Sequence, residues 1–556
     1  MDLTAAAVPA APRRRRVPGW SLVSGAVAAI VVLPLLALPA SFIGGSEAFG
    51  AISRALLPRA LQHSILIAVG VGVGTLVVGG GLALLVSFWD FPGRRWLDWA
   101  LVLPLAMPGY VLVFVVLGSY GVGSPLQNNL FGEGLRIPGI RTPLGAIVIL
   151  SAVLYPYVYI LGRSAFLGQS RQAIEAARLL GRSYRRAVFG VALPLARPAL
   201  SAGAVLAVMD ALADFGTVDL LGLQALTSAI YRVWFGTFDQ DSALQLASVL
   251  VGIALAVALL ERVLRGRARY HQALGRGDAV EPRPIRGWAR WLAPLPAVVL
   301  LLVVFAVPVV QLAVWSAESA SGGLLDAALF RATRNSVGLA LAAAAITVTI
   351  AVTIAFGQRA HRSRVGDLTA RMATMGYAVP GTVVAVAVFV PLVAIDRRIA
   401  GWADSALDRD LGLLITGSML GLMFAYVVRF NALAYLSVES RLTRVSTSLD
   451  DAARTLGADR TRLLADVHLP LLRPGLITAA LLVIVEVMKE LPATALLRPL
   501  GGDTLAITVW DATKDTRFDA AALPALLIVA VSLLPVVLLV RMMRAEGWSS
   551  AADQFS

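Results

Sequence analysis

The chain carries one short pattern twice. Residues 175–194 read EAARLLGRSYRRAVFGVALP, and residues 451–470, which lie 276 positions further on, read DAARTLGADRTRLLADVHLP. The acid-Ala-Ala-Arg start, the glycine six residues after the acid and the closing Leu-Pro keep the same spacing in both copies. One copy alone would suit an ordinary amphipathic helix, but two copies with identical spacing, each leading into an apolar run, indicate an internal duplication.

Composition places this duplication in a membrane. Of the 556 residues, 58% are hydrophobic and only 15% are charged, with a mean hydropathy of +0.78. Soluble domains carry about 25% charged residues. The chain has no cysteine, which excludes disulfides and thiolate metal sites. The net charge is +14. In a membrane protein such an excess of basic residues is typical of cytoplasmic loops, so it does not predict a nucleic-acid partner.

Apolar runs long enough to span a bilayer recur along the chain. A spanning helix needs about 20 apolar residues, and by that rule the sequence predicts about twelve helices. The first run follows Arg13 to Arg16 and is too long for the core of a cleaved signal, so it is predicted to be a retained helix with its N-terminus in the cytoplasm. The predicted cores are 20–43, 63–88, 97–118, 143–162, 193–212, 243–261, 291–315, 335–357, 370–394, 411–436, 470–492 and 521–541.

Arginine placement predicts the orientation. The loop at 163–190 holds six arginines and the segment 262–290 holds eight, whereas 213–242 holds one against four aspartates. By the positive-inside rule the first two segments and both chain termini are cytoplasmic. Six helices in each half form an even number, so the two repeats run parallel. The predicted division is 1–60 for the cytoplasmic N-terminus and first helix, 61–262 for the first repeat domain, 263–290 for an Arg-rich linker, 291–332 for the seventh helix and an outer loop, 333–541 for the second repeat domain and 542–556 for a cytoplasmic tail.

Further matches support the duplication. Met107-Pro108-Gly109 corresponds to Val379-Pro380-Gly381, and Ser64 corresponds to Ser336, both 272 residues apart.

The duplicated pattern has the features of a short surface helix. Ile174, Ala177 and the region of Leu180 predict one apolar stripe. The glycines at 181 and 457 are predicted to end each helix with positive φ. Ser448 is predicted as the N-cap of the second copy.

This pattern resembles the EAA loop of ABC importer permeases, on which a separate ATPase subunit docks. The resemblance implies an all-α membrane fold of two parallel six-helix type I importer repeats fused in one chain. It also implies two copies of an ABC ATPase subunit as partners and a multi-pass position in the bacterial inner membrane. Asp451 departs from the family's glutamate by one methylene. The implied docking residues are Glu175, Ala176, Ala177, Gly181, Asp451, Ala452, Ala453 and Gly457.

The chain itself lacks a nucleotide site. It contains no G-x-x-x-x-G-K-[ST] phosphate loop, and neither of its two lysines follows the required glycines. ATP hydrolysis is therefore expected on another polypeptide, and the chain is predicted to be a transport subunit without cofactor or enzymatic activity.

Four acids occupy equivalent places in two predicted membrane helices. Asp210 matches Glu486, and Asp214 matches Glu490. Acids at membrane depth are costly and are candidates for function. Two interpretations stay open: the acids line a cation path, or they only shape helix packing, since Lys489 lies three residues from Glu486 and can pair with it.

Two regions that contain these acids are similar to the corresponding regions of bacterial ferric-iron importer permeases. They are DALADFGTVDLLGLQALTSAIYRVW (210–234) and EVMKELPATALLRPLGGDTLAITVW (486–510). That resemblance implies a periplasmic or lipid-anchored iron-binding protein as an outer partner. Thiamine, polyamine or phosphonate remain alternative cargoes, because permeases for them share the EAA loops. An ion-coupled secondary transporter is the alternative from another class; the sequence identifies no metal ligands.

Overall fold

The computed structural model describes residues 19–43, 47–120, 139–168, 171–265, 282–321, 326–360, 364–407 and 412–552. Nearly all regular structure in these ranges is helical, so the predicted all-α class is confirmed. The helices of the first half are α1 (Gly19–Ala40), α2 (Glu47–Phe88), α3 (Arg94–Ala100), α4 (Gly109–Tyr120), α5 (Pro143–Leu167), α6 (Arg171–Leu179), α7 (Tyr184–Ala187), α8 (Leu193–Ala213), α9 (Gly216–Leu220), α10 (Leu226–Gly236) and α11 (Gln240–Arg265).

The second half repeats this order after a short connection. Its helices are α12 (Ala289–Leu292), α13 (Leu295–Leu301), α14 (Val307–Ser321), α15 (Ala327–Ala360), α16 (Arg364–Ala373), α17 (Gly381–Leu407), α18 (Met419–Leu442), α19 (Thr447–Thr455), α20 (Arg460–Arg462), α21 (Leu469–Met488), α22 (Pro492–Leu497), α23 (Leu505–Lys514) and α24 (Phe518–Ala552). Single 3-10 turns cover Leu103–Ala106 and Met375–Ala378, and π turns cover Val188–Ala192, Leu302–Ala306 and Leu463–His468.

Fewer helices cross the membrane unbroken than the sequence predicts. Within the described ranges ten helices are long and apolar enough to span, and an eleventh span is the pair Arg94–Ala106 and Gly109–Tyr120, bent by 89°. The predicted core 370–394 is likewise divided, because α17 begins only at Gly381. Proline donates no backbone hydrogen bond, so Pro108 and Pro380 end one helix before the next begins. The count of about twelve treated both broken segments as single helices.

Each half is built on three helices, and the first span of each half also contacts the other half. Helices α2, α5 and α8 pack together, as do α15, α18 and α21. Helix α1 packs against α15, α16 and α17, while α13 and α14 lie against α3 and α4. The halves are therefore interlocked in the membrane.

The predicted linker 263–290 falls partly outside the described residues. In its described part, β2 (Arg283–Pro284) pairs in parallel with β1 (Trp89–Asp90). The Arg283 guanidinium also lies 4.4 Å from the ring centre of Tyr184. The start of the second half is thus fixed beside the loop that follows α2.

Candidate functional site

The two copies of the duplicated pattern fold into matching short helices, α6 and α19, called here the first and second EAA helix. Gly181 and Gly457 both have φ of +83°, as predicted. Gly181 N–H donates to Arg178 O at 2.9 Å, and Gly457 N–H donates to Arg454 O at 3.0 Å. The residue after each glycine donates to the carbonyl five positions back, which completes a Schellman motif.

Each EAA helix exposes a leucine at its end. Leu180 is 84% exposed and Leu456 is 88% exposed. Ile174 and Ala177 of the predicted apolar stripe are buried, but the stripe does not extend to Leu180, because the helix has already ended there and the side chain faces outward. Each copy therefore leaves a large apolar side chain exposed directly after its helix.

The second EAA helix begins two residues earlier than predicted. Its N-cap is Ser446, whose hydroxyl accepts from Ser448 N–H at 3.2 Å, and not Ser448 itself. Asp451 and Arg454 form an exposed ion pair at 3.4 Å. Ala176 and Ala452 are exposed, Glu175 and Ala453 are half-buried.

Continuous helices lead from the EAA helices toward the predicted acids. Membrane spans run from Tyr184 to Ala213 over 30 residues and from Leu463 to Met488 over 26 residues. Proline clashes with the carbonyl four residues before it, and the π turns that precede Leu193 and Leu469 absorb this clash without breaking the helix. Asp210 and Glu486 lie near the far ends of these two spans.

All four predicted acids line one cavity of about 90 Å³ between the halves. The Pro-Gly break of the first half and the ends of α8 and α21 surround it. Its lining also includes two cationic side chains. The charged lining residues are Asp210, Asp214, Glu486, Glu490, Arg429 and Lys489.

The two cations pair with acids of the second half. Lys489 Nζ lies 2.7 Å from Glu486, as the packing interpretation expected, and Arg429 Nε lies 3.4 Å from Glu490. Arg429 was missed by sequence reasoning, although a lone arginine inside the apolar run 411–436 was the available signal. Four carboxylates against two cations leave the lining with a formal negative charge.

Two of the acids also start short helices. Asp214 accepts from Thr217 N–H at 2.7 Å, and Glu490 accepts from Ala493 N–H at 3.0 Å. These hydrogen bonds orient both carboxylates at helix N-termini, where negative charge is favoured.

The glycines of the two Pro-Gly breaks make room for these acids. A Cβ on Gly109 would lie 3.2 Å from Asp214 Oδ2, and a Cβ on Gly381 would lie 2.6 Å from Glu490 Oε1 and against the Arg429 guanidinium. The matched Pro-Gly pairs and the matched acids, separate in the sequence, therefore form one repeated arrangement.

Several buried donors in this cavity make no hydrogen bond. Tyr110 Oη and the Nε and Nη1 of Arg429 make no hydrogen bond in the described structure. Among the described residues no group of three or more His, Cys, Asp or Glu side chains is placed to hold a metal ion.

Comparison with known families identifies the chain. Residues 76–270 and 347–545 each match the family described as binding-protein-dependent transport system inner membrane component. The chain belongs to this family. The two matches confirm that it is a fused two-half permease of an ABC importer and a multi-pass inner membrane protein, and they exclude the secondary-transporter alternative.

Relatives of this permease come in fused and single-half forms. It is 26% identical to the Fe(3+)-transport system permease protein FbpB 2 of Haemophilus influenzae, over 94% of this chain and 98% of the relative. It is 23% identical to the probable ABC transporter permease protein y4fN of Sinorhizobium fredii, over 94% and 96%. The sulfate transport system permease protein CysT of Escherichia coli is 27% identical over 46% of this chain and 95% of its own length. These relatives are transport subunits, so the permease role predicted from the sequence, in place of an enzyme, is confirmed.

Proposed function

We propose that this permease imports ferric iron delivered by a binding protein. Two observations support the cargo: the name of the relative that matches nearly the whole chain, and the negative formal charge of the one cavity that all four matched acids line. A highly charged hard cation is attracted by carboxylates.

The acids are proposed to attract the cation along a path and not to hold it. Each half contributes a pair, Asp210 with Asp214 and Glu486 with Glu490. Lys489 and Arg429 neutralise the second pair when no cargo is present. A cation must displace them, which keeps the site weak enough for release into the cell.

The EAA helices are proposed to dock on two copies of an ATPase subunit. Their matched ends, their exposed leucines and the unbroken spans that follow support this. When the ATPase pair closes, a displacement of each EAA helix would pass along the following span to Asp210 or Glu486. The proposed docking residues are those predicted from the sequence: Glu175, Ala176, Ala177, Gly181, Asp451, Ala452, Ala453 and Gly457.

Orientation follows from this docking. Both EAA helices and both termini are proposed to be cytoplasmic, with a periplasmic or lipid-anchored binding protein on the outer face. The predicted domain division, with the Arg-rich linker on the cytoplasmic side, is part of the same proposal.

An oxyanion is the second candidate cargo. The sulfate permease relative favours it, as do the buried N–H and O–H donors of Arg429 and Tyr110 that make no hydrogen bond. An oxyanion would, however, have to enter a lining with twice as many carboxylates as cations.

Uptake of radioactive iron and of radioactive sulfate into cells that lack their own importers tests the cargo, with the cognate ATPase and binding protein expressed. Replacing all four acids by amides keeps their shape and removes their charge. Iron uptake per permease in the membrane should fall at least about tenfold, whereas Asp515→Asn, which alters an exposed acid paired with Arg517, should leave it unchanged. Sulfate uptake by the wild type, or unchanged iron uptake by the variant, would contradict the proposal. The quadruple variant is Asp210→Asn, Asp214→Asn, Glu486→Gln and Glu490→Gln.

A further inference from the structure

A buried charged cluster joins the second EAA helix to the membrane helices. Asp450, on α19 directly before Asp451, is only 5% exposed. Arg359, in the last turn of α15, donates to both of its oxygens, from Nε at 2.8 Å and from Nη2 at 3.0 Å. His468 is fully buried beside them, with Nε2 3.3 Å from Asp450 Oδ1.

The same guanidinium makes two further hydrogen bonds. Nη1 donates to Leu442 O at 2.7 Å, and Nη2 donates to Ser446 O at 3.0 Å. Leu442 ends α18 and Ser446 caps α19. One planar, rigid group therefore connects α15, the end of α18 and the second EAA helix.

The first half has no such cluster at the equivalent positions. Ile174 occupies the place of Asp450 and Ala192 the place of His468, and both are buried. By the spacing of the Pro-Gly pairs, Ser87 occupies the place of Arg359. At these three places the first half carries uncharged side chains, where the second half carries Arg359, Asp450 and His468.

These two kinds of contact respond differently to force. Apolar contacts have no preferred direction and tolerate sliding, whereas a bidentate pair between ions fixes distance and angle. Burial opposes ionisation of Asp450, but the hydrogen bonds and charge of Arg359 outweigh it and lower the pKa of this carboxyl. The pair is therefore ionised at neutral pH.

We infer that Arg359 and Asp450 are positioning residues that make the second EAA helix and α15 move as one body. The ATPase stroke then enters the second half through this ionic link, at a place where the first half has the buried apolar side chain of Ile174. This inference rests on the proposed docking of the EAA helices on the ATPase.

The first test replaces the pair by apolar residues in the complete transporter. Removing one partner of a buried pair is strongly destabilising, but replacing both by apolar side chains is often neutral. Arg359→Met with Asp450→Ile, the residue found in the first half, should therefore fold. In proteoliposomes with ATPase and loaded binding protein, solute imported per ATP should fall at least about threefold while ATP hydrolysis continues.

Two single variants test whether coupling depends on the geometry of the Arg359–Asp450 pair or only on its charge and on local packing. Arg359→Lys keeps the charge but cannot reach Asp450 and both carbonyls together, so it should also lower solute per ATP. Ile174→Val, the matched control in the first half, should not. An unchanged ratio in the double variant would overturn the inference.

If the double variant folds poorly, the inference can be tested by measuring the distance between each EAA helix and a membrane helix of the same half. The chain has no cysteine, so spin labels can be placed on introduced cysteines without background. Labels at positions 452 and 349 report the distance between the second EAA helix and α15. Labels at positions 176 and 77 report the matching distance between the first EAA helix and α2. The side chains of Ala452, Thr349, Ala176 and Val77 are all exposed. ATP should leave the 452–349 distance unchanged and alter the 176–77 distance, and Asp450→Asn should make the 452–349 distance change as well.

A 452–349 distance that changes on ATP binding in the wild type would refute the inference. Failure of the docking proposal looks different. If Leu456→Asp leaves ATPase assembly intact, the EAA helix is not the docking surface and both proposals fall. If assembly is lost but the Arg359 and Asp450 variants couple normally, only the inference fails.

Discussion

Replacing Lys489 by glutamine should strengthen cation binding in the central cavity. Lys489 Nζ lies 2.7 Å from Glu486, and the two side chains are 20% and 25% exposed. At an effective dielectric constant of about 20, two unit charges at this distance attract by about 6 kcal/mol before desolvation is counted. The net stabilisation by an exposed ion pair is about 0.2–1 kcal/mol. Removing one partner of a buried ion pair costs about 3–5 kcal/mol. A partly buried pair falls between them, so a cation that must displace Lys489 loses about 1.4 kcal/mol, or tenfold in affinity.

The assay is equilibrium retention of citrate-buffered radioactive iron by the purified transporter in nanodiscs, without binding protein. Lys489→Gln should lower the dissociation constant about tenfold. Lys514→Gln is the matched control, since Lys514 is the other lysine of the chain and pairs with Asp219 outside the cavity. Unchanged or weaker iron retention in Lys489→Gln would refute the displacement mechanism. Weaker retention of sulfate in the same variant would favour the oxyanion.

Three further outcomes are expected. Gly457→Val should uncouple ATP hydrolysis from transport because a β-branched residue resists the φ of +83° there, whereas Gly457→Asn, which tolerates it, should couple; equal coupling in both would count against the geometry of the helix end. Gly381→Ala should lower the melting temperature and the transport rate, since its Cβ would meet Glu490 and Arg429, and Gly338→Ala, with open space around it, should change neither; a normal Gly381→Ala protein would show that the cavity yields easily. The purified chain without its ATPase should not hydrolyse ATP, since it has no phosphate loop; activity that copurifies with the chain through successive columns would contradict this.

Much of the site's local structure could be predicted from the sequence. Helix ends depend on neighbouring residues, so the positive φ of Gly181 and Gly457 could be predicted from the sequence. The breaks at Pro108 and Pro380 were equally local, yet they lay inside apolar runs, and hydropathy alone counted each run as one span. Equal offsets paired Asp210 with Glu486, because duplication preserves spacing.

Which residues meet was decided by the tertiary structure. Arg429 reaches Glu490 from a different helix, and Arg359 reaches Asp450 across 91 positions of the chain. The partner of either arginine cannot be predicted from its local sequence, because such contacts depend on how distant helices pack.

The sequence by itself determined that this chain is a duplicated, helical membrane protein with two EAA helices, since helical hydrogen bonds and apolar runs are local properties. Only the tertiary structure showed that α1 packs against the opposite half, that four acids from both halves line one cavity, and that a buried ion pair joins the second EAA helix to α15. The physical reason is that helix packing follows the complementary shape and charge of surfaces far apart in sequence.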